Sequence, residues 1–233
     1  MRQLALDVRL ADHAVFGNFT PGTNVALVDS LRRAAAGEGL SPVWCWGAQG
    51  SGKSHLLQAS VAAAHERGAA AAYLPLRGLR SLTADILDGM AGLELVAIDD
   101  VSCVAGEAHW EAALFRLYEG LVPRGGHLVL AADVTPAQAG FRLPDLASRM
   151  AAGVVYRLQR LTDEEWLQAL QRRALWRGFE LPEETGRYLL GRVARGAASL
   201  FGLLDQLDRA ALLEQKRLTI PFVRRVIDAE SAE

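Results

Sequence analysis

Eight consecutive residues in this 233-residue chain have the types and order needed to cradle a phosphate: Gly47-Ala48-Gln49-Gly50-Ser51-Gly52-Lys53-Ser54. They fit G-x-x-x-x-G-K-[ST]. The glycines let the backbone curl so that successive N–H groups point inward at phosphate oxygens, where a side chain would block the approach. Lys53 is placed to reach the outer phosphates as a point charge, and the Ser54 hydroxyl to ligate Mg²⁺. The flanks suit this chemistry. Pro42-Val43-Trp44-Cys45-Trp46 predicts a short buried strand, and the segment from His55 to about Arg67 predicts a helix whose positive end faces the phosphates.

Three further carboxylates stand at predicted strand ends. Asp99 closes the apolar run Leu93–Ile98, as expected of a carboxylate that orients Mg²⁺ through Ser54 and water. Asp100 stands where many ATPases carry a water-positioning Glu, one methylene longer; it reads equally as a turn residue. Asp133 follows the strand His127–Ala132, within reach of an attacking water or a terminal phosphate, or as a plain loop Asp. Arg149 lies in Leu143-Pro144-Asp145-Leu146-Ala147-Ser148-Arg149, just before the last strand. A guanidinium there can stabilise transition-state charge on a neighbouring subunit's phosphates, or be a solvated surface group.

Positioning these groups requires alternating strands and helices. A helix is predicted from about Val25 to Ala36, with strands at 70–75, 93–100, 127–132 and 154–158. Ser81 to Gly89 predicts a weak helix, Glu107 to Leu121 an amphipathic one, and Pro144 opens a short one. Such alternation implies a doubly wound parallel α/β sheet, with ligands at the carboxyl ends of its strands. Beyond Leu161 the pattern is helical only, beginning with the capping box Thr162-Asp163-Glu164-Glu165. Three segments are therefore expected: residues 1–12, an α/β nucleotide-binding domain over 13–160, and a small helical domain over 161–233.

Composition narrows the function. With 51% hydrophobic and 22% charged residues the chain is of the globular class. A net charge of −2 disfavours a protein whose main work is gripping DNA phosphates, so contact with DNA is expected only indirectly. Cys45 and Cys103 have no metal-ligand spacing, sit beside apolar runs and read as buried free thiols. The five histidines, His13, His55, His65, His109 and His127, form no ligand pattern either. No signal peptide or membrane-spanning stretch is read, and a cytoplasmic location is expected.

Taken together, the phosphate loop, Asp99-Asp100, Asp133, Ser148-Arg149 and the helical end resemble the AAA+ ATPases of the DnaA initiator clade, and within it the regulatory inactivators of DnaA. The resemblance extends to Phe16-Gly17-Asn18-Phe19-Thr20-Pro21-Gly22-Thr23-Asn24, to Arg177-Gly178-Phe179-Glu180-Leu181-Pro182, and to Leu204-Asp205-Gln206-Leu207-Asp208-Arg209-Ala210 with Leu218-Thr219-Ile220-Pro221-Phe222-Val223. It implies a P-loop AAA+ domain with a helical lid, holding ADP or ATP with Mg²⁺ through residues 47–54, His55, Asp99, Asp100 and Asp133, with Phe16 and Asn18 beside the nucleotide. It also implies neither a helix-turn-helix domain after the lid nor a helicase-contact domain before the phosphate-binding domain.

Gln3-Leu4-Ala5-Leu6-Asp7-Val8 resembles the peptide that docks on the β sliding clamp of DNA polymerase III. Gln3 would hydrogen-bond at the pocket rim while Leu4, Leu6 and Val8 fill apolar pockets. The implied function is a negative regulator of replication initiation: bound to the clamp, it would bring Arg149 to ATP held by DnaA and promote hydrolysis to inactive DnaA–ADP, with weak or no ATPase activity of its own. Two alternatives stand beside it, a stand-alone ATPase or helicase loader and a DNA-binding initiator paralogue. The family's sensor arginine in the lid falls on Ala198, with Arg195 one helical turn earlier. Homo-oligomerisation is left open.

Overall fold

The computed structural model describes residues 14–79, 83–193, 197–214 and 218–230. The candidate clamp-docking residues Gln3, Leu4, Leu6 and Val8 lie outside them, as do Arg195 and the side chain of Ala198.

The first elements are a 3-10 turn at Phe16–Asn18 and helix α1, Val25–Ala35. Strand β1, Val43–Trp46, leads through the phosphate loop into α2, Lys53–Glu66. Next come β2 (Ala71–Pro75), the four-residue helix α3 (Leu76–Leu79), β3 (Leu95–Asp99), α4 (Ala108–Leu121), β4 (His127–Ala132), α5 (Pro144–Ala151) and β5 (Val154–Arg157). All paired strands are parallel, in the order β2-β3-β4-β1-β5. This is the expected doubly wound sheet.

Alternation along the strands sends side chains to two cores. Val43 and Cys45 join Leu27, Leu31, Leu56 and Leu57 of α1 and α2. Trp44 joins Trp110, Leu114 and Leu117 of α4, with Leu146 and Met150 of α5, on the opposite face. The central strands β3 and β4 are buried along their whole length, which is why they read as unbroken apolar runs.

Two details of the expected pattern differ. In place of a helix over Ser81–Gly89, the described part of that segment holds a 3-10 turn at Ala84–Leu87. Ala84 and Leu87, three apart, are its buried residues, a spacing that one tight turn satisfies, and Gly89 follows at φ +86°. Short α3, not foreseen, turns the chain directly after β2.

The chain divides into two compact units, one of residues 1–48 and 52–159, the other of residues 160–233 together with the short loop segment Gln49–Ser51; the main chain passes from the first to the second after Gln159. Beyond it lie α6 (Asp163–Trp176), α7 (Glu183–Arg192), α8 (Ala197–Glu214) and α9 (Ile220–Glu230). Thr162 caps α6 as anticipated: its hydroxyl accepts the Glu165 N–H at 3.3 Å, while Glu165 accepts the Thr162 N–H at 2.7 Å. Helices α6 and α7 approach closely, because a Cβ on Gly186 would stand 2.4 Å from Leu167 Cδ1. The Arg177 guanidinium ties α6 to α8 through Asp205 and Asp208, with Nε donating to Asp208 Oδ2 at 2.9 Å. The core of this unit includes Trp166, Leu170, Leu204, Leu207 and Phe222.

Candidate functional site: a phosphate loop and an outward arginine

The loop leaves β1 beside β4, with the Gly47 N–H donating to Ala132 O at 3.2 Å. Gly50 and Gly52 adopt φ +75° and +105°, which favour glycine. A Cβ on Gly52 would stand 2.9 Å from Phe19 Cε2, so a side chain would be both strained and crowded. The loop then opens α2, fourteen residues long, whose first-turn N–H groups have no intrahelical acceptors. Ser51 Oγ is buried without a hydrogen-bond partner among the described residues. Backbone donors, a helix N-terminus and an unpaired hydroxyl together form the donor set that suits a polyphosphate.

Lys53 is buried, and its Nζ donates to Gly47 O at 2.7 Å, Ala48 O at 3.0 Å and Asp133 Oδ1 at 2.9 Å. Asp133 in turn lies 3.9 Å from Arg77 Nη2. Arg77, on α3, donates to both carboxylate oxygens of Asp100, at 2.8 and 3.3 Å. Lys53, Asp133, Arg77 and Asp100 thus alternate in sign across the ends of β1, β4, β2 and β3. Asp100 is held with φ +53°, and its carboxylate faces Arg77.

Asp99 is buried at the end of β3. Its Oδ1 accepts the Asp100 N–H at 3.0 Å, and its Oδ2 accepts the Tyr73 hydroxyl at 2.9 Å. The side chains of Gln58 and Ser54 also lie close to the Tyr73 hydroxyl, so it sits beside both expected magnesium ligands, Ser54 and Asp99. Burial first, and the Asp99 charge second, push Tyr73 well above the ordinary phenol range, keeping it a neutral donor. Among the described residues no group of three or more His, Cys, Asp or Glu could hold a metal ion. A single carboxylate with a hydroxyl suits Mg²⁺ shared with phosphates and water, not an all-protein cage.

The flanking turn packs against this loop. His55 Nε2 lies 3.1 Å from Val15 O, and its ring is 5.5 Å from that of Phe19. Phe16 instead lies under Arg32 of α1, 5.4 Å from ring centroid to Cζ. Asn18 is half-buried in the same turn. Phe19 is therefore the ring against the loop, although it belongs to the same string of residues as Phe16 and Asn18.

Arg149 lies elsewhere, in the last turn of α5. Its side chain is half exposed, with Nε 3.1 Å from Glu119 Oε1 on α4 and Cζ 5.7 Å from the centre of the Tyr118 ring. No described residue of the phosphate cluster touches it. The start of α5 is fixed by Glu111, a buried carboxylate that accepts N–H groups from Gly106 at 2.6 Å, Arg142 at 3.0 Å and Leu143 at 2.7 Å. Burial would raise the Glu111 carboxyl, but the backbone donors Arg142, Gly106 and Leu143 outweigh it and hold the group below the usual range.

Residues 163–227 match a family model described as "Hda, lid domain". Among solved structures the chain is similar to domain III of the Thermotoga maritima replication initiation protein DnaA, at 22% identity over 95% of this chain and 98% of that one, with a TM-score of 0.78. AMPPCP-bound DnaA from Aquifex aeolicus matches at 22% identity over 85% of this chain and 66% of that one, TM-score 0.72. The RuvB Holliday junction branch migration motor of Thermotoga maritima matches at 17% identity over 88% and 67%, TM-score 0.67. Residues 163–227 thus match the Hda lid family, and the chain shares the fold of DnaA domain III. The matched segment runs from α6 into α9, and the parallel five-stranded sheet with its helices is the part whose likeness rests on fold alone.

Three residues that support these groups escaped sequence reasoning: Tyr73 and Arg77 at the phosphate cluster, and Glu111 at the start of α5. Tyr73 and Arg77 flank Pro75 at the end of an edge strand, a place that carries no motif. Glu111 falls on the amphipathic helix as one more polar residue; the signal was its place beside Trp110 on the buried side, where a carboxylate needs donors. Among the described residues, no helix is long and apolar enough to cross a membrane.

Proposed function

We propose that this protein regulates replication initiation by acting on DnaA. Bound to the β sliding clamp through Gln3, Leu4, Leu6 and Val8, it directs Arg149 to the ATP of a DnaA molecule and promotes hydrolysis, leaving DnaA–ADP. Its own adenine nucleotide, ADP or ATP, would be held by the N–H groups of residues 48–54 and by Lys53, which exchanges Asp133 for phosphate oxygen. Ser54 and Asp99 would face Mg²⁺, which supplies positive charge between the phosphates. Arg149 would lend a planar, permanent charge to the phosphoryl group as it transfers to water.

The observation that carries this reading is the separation of Arg149 from the protein's own phosphate cluster: the side chain is half exposed and, among the described residues, its charged and ring contacts are with Glu119 and Tyr118 of α4. A second feature agrees with it. Asp100, the residue that would orient water in a motor, is engaged by Arg77, which favours a switch over a stand-alone ATPase.

The test is hydrolysis of DnaA-bound ATP in the presence of clamp-loaded DNA. Wild-type protein is expected to accelerate it, and Arg149→Ala to lose the acceleration while still being captured by the clamp. Acceleration retained in Arg149→Ala sinks the trans role. Gln3→Ala is expected to lose clamp capture; an unchanged pull-down would refute the docking segment. A high steady-state ATPase rate of the protein alone would favour the motor.

A further inference from the structure

We infer that Tyr118 and Glu119, consecutive residues of α4, are positioning residues that hold the Arg149 guanidinium ready for a partner's phosphate. This rests on the trans role proposed above for Arg149.

An arginine on an exposed helix end has several rotatable bonds, and its planar fork recognises phosphate only when plane and rotation are both set. Here two contacts restrain the group. The Tyr118 ring, 5.7 Å from its centre to Cζ, is within cation–π range and draws the guanidinium toward α4. The Glu119 carboxylate, 3.1 Å from Nε, holds the guanidinium through that nitrogen. Both partners stand on a rigid element. Tyr118 is buried, and α4 is seated in the core by Trp110, Leu114 and Leu121. Arg149 is likewise carried by a helix anchored through Leu146 and Met150.

The choice of edge matters. Of the five N–H donors of a guanidinium, Glu119 faces the one on the stem side. No described residue accepts a hydrogen bond from the terminal nitrogens of Arg149. The two-nitrogen end that matches a phosphate is therefore left without an acceptor among the described residues, on a side chain that is half in solvent. Such preorganisation removes the ordering cost from the moment of reaction, so it acts on rate more than on docking.

The experiment uses the full chain with clamp-loaded DNA and ATP-loaded DnaA, comparing wild type, Glu119→Ala, Glu119→Gln, Tyr118→Leu and Arg149→Ala. Glu119→Ala and Tyr118→Leu are expected to lower the maximal stimulated rate about tenfold, with the half-saturating protein concentration within about twofold of wild type. Glu119→Gln, which keeps an acceptor for Nε, recovers most of the rate. Glu119 is solvent-exposed, so its variants test the idea even where Tyr118→Leu lowers stability. An unchanged or raised rate in Glu119→Ala, with Arg149→Ala inactive, overturns the positioning role and leaves the trans arginine standing. A shift in half-saturation without loss of rate also overturns it, in favour of a docking contact. Stimulation retained by Arg149→Ala overturns the reading beneath both.

Discussion

Around the phosphate loop, Lys53, Asp133, Arg77 and Asp100 form a chain of opposite charges with successive separations of 2.9, 3.9 and 2.8 Å. On α5, Arg149 has one carboxylate partner among the described residues, and half of its side chain is in solvent. In the first region each charge is answered within the molecule, so on the function proposed above an incoming phosphate would work by exchange, displacing Asp133 from Lys53. In the second, half of the side chain is open to solvent, where the proposed function would have it act on a docked partner. On that proposal the two regions are expected to fail independently.

The largest effect expected is on the scaffold of the outward arginine. Glu111→Ala leaves the N–H groups of Gly106, Arg142 and Leu143 without their buried acceptor, and is expected to cost about 3 kcal/mol in denaturant unfolding. Its pH dependence has a definite sign. The folded carboxyl lies below its ordinary value of 4.5, so between the two values the unfolded chain binds a proton that the folded chain refuses. The stabilisation is therefore complete above the unfolded value and lost as pH falls through the folded one. Unfolding free energies at neutral and acid pH should show this component in wild type and not in Glu111→Gln.

Next, Lys53→Ala should weaken ADP binding by about 2 kcal/mol, roughly 30-fold, the worth of a hydrogen bond to a charged group. Arg149→Ala should leave ADP affinity unchanged. Calorimetric titration of both variants checks the contrast, and an equal loss in each would erase it. A smaller effect is expected from Gly52→Ala, where φ is +105° and Phe19 stands 2.9 Å from the new Cβ; about 1–2 kcal/mol of stability should be lost. Smallest is Tyr73→Phe. Removing the hydroxyl from Asp99 Oδ2 should cost about 1 kcal/mol, and it would sharpen the contrast by showing whether the hydrogen bond to Asp99 also tunes the magnesium dependence of nucleotide binding.

Much of this molecule was legible along the chain because the physics involved is local. Glycine spacing specifies the curled loop, apolar runs of four to six residues specify buried parallel strands, and Thr162 with Glu165 specifies the start of α6. The sequence motifs also marked Arg149 by its place after Pro144. By contrast, the stretch after Leu79 predicted a helix and holds a 3-10 turn at Ala84–Leu87, since its buried pair satisfies one tight turn.

Tertiary structure decided what those local rules do not reach. Strand order places β2 beside β3, with Pro75 level with Asp99, and only this pairing brings Tyr73 to Asp99 and Arg77 to Asp100. The packing of the 16–19 turn set Phe19, not Phe16, against the loop. Burial of α4 turned Glu111 from a surface charge into the acceptor that fixes α5, and set Tyr118 and Glu119 beside Arg149. The sequence by itself determined the kinds of elements and the loop chemistry, because these depend on neighbours along the chain. The partners of each charge waited on the fold, because a side chain's field and hydrogen bonds depend on distance in space, and residues far apart in sequence are brought together only once the sheet has formed.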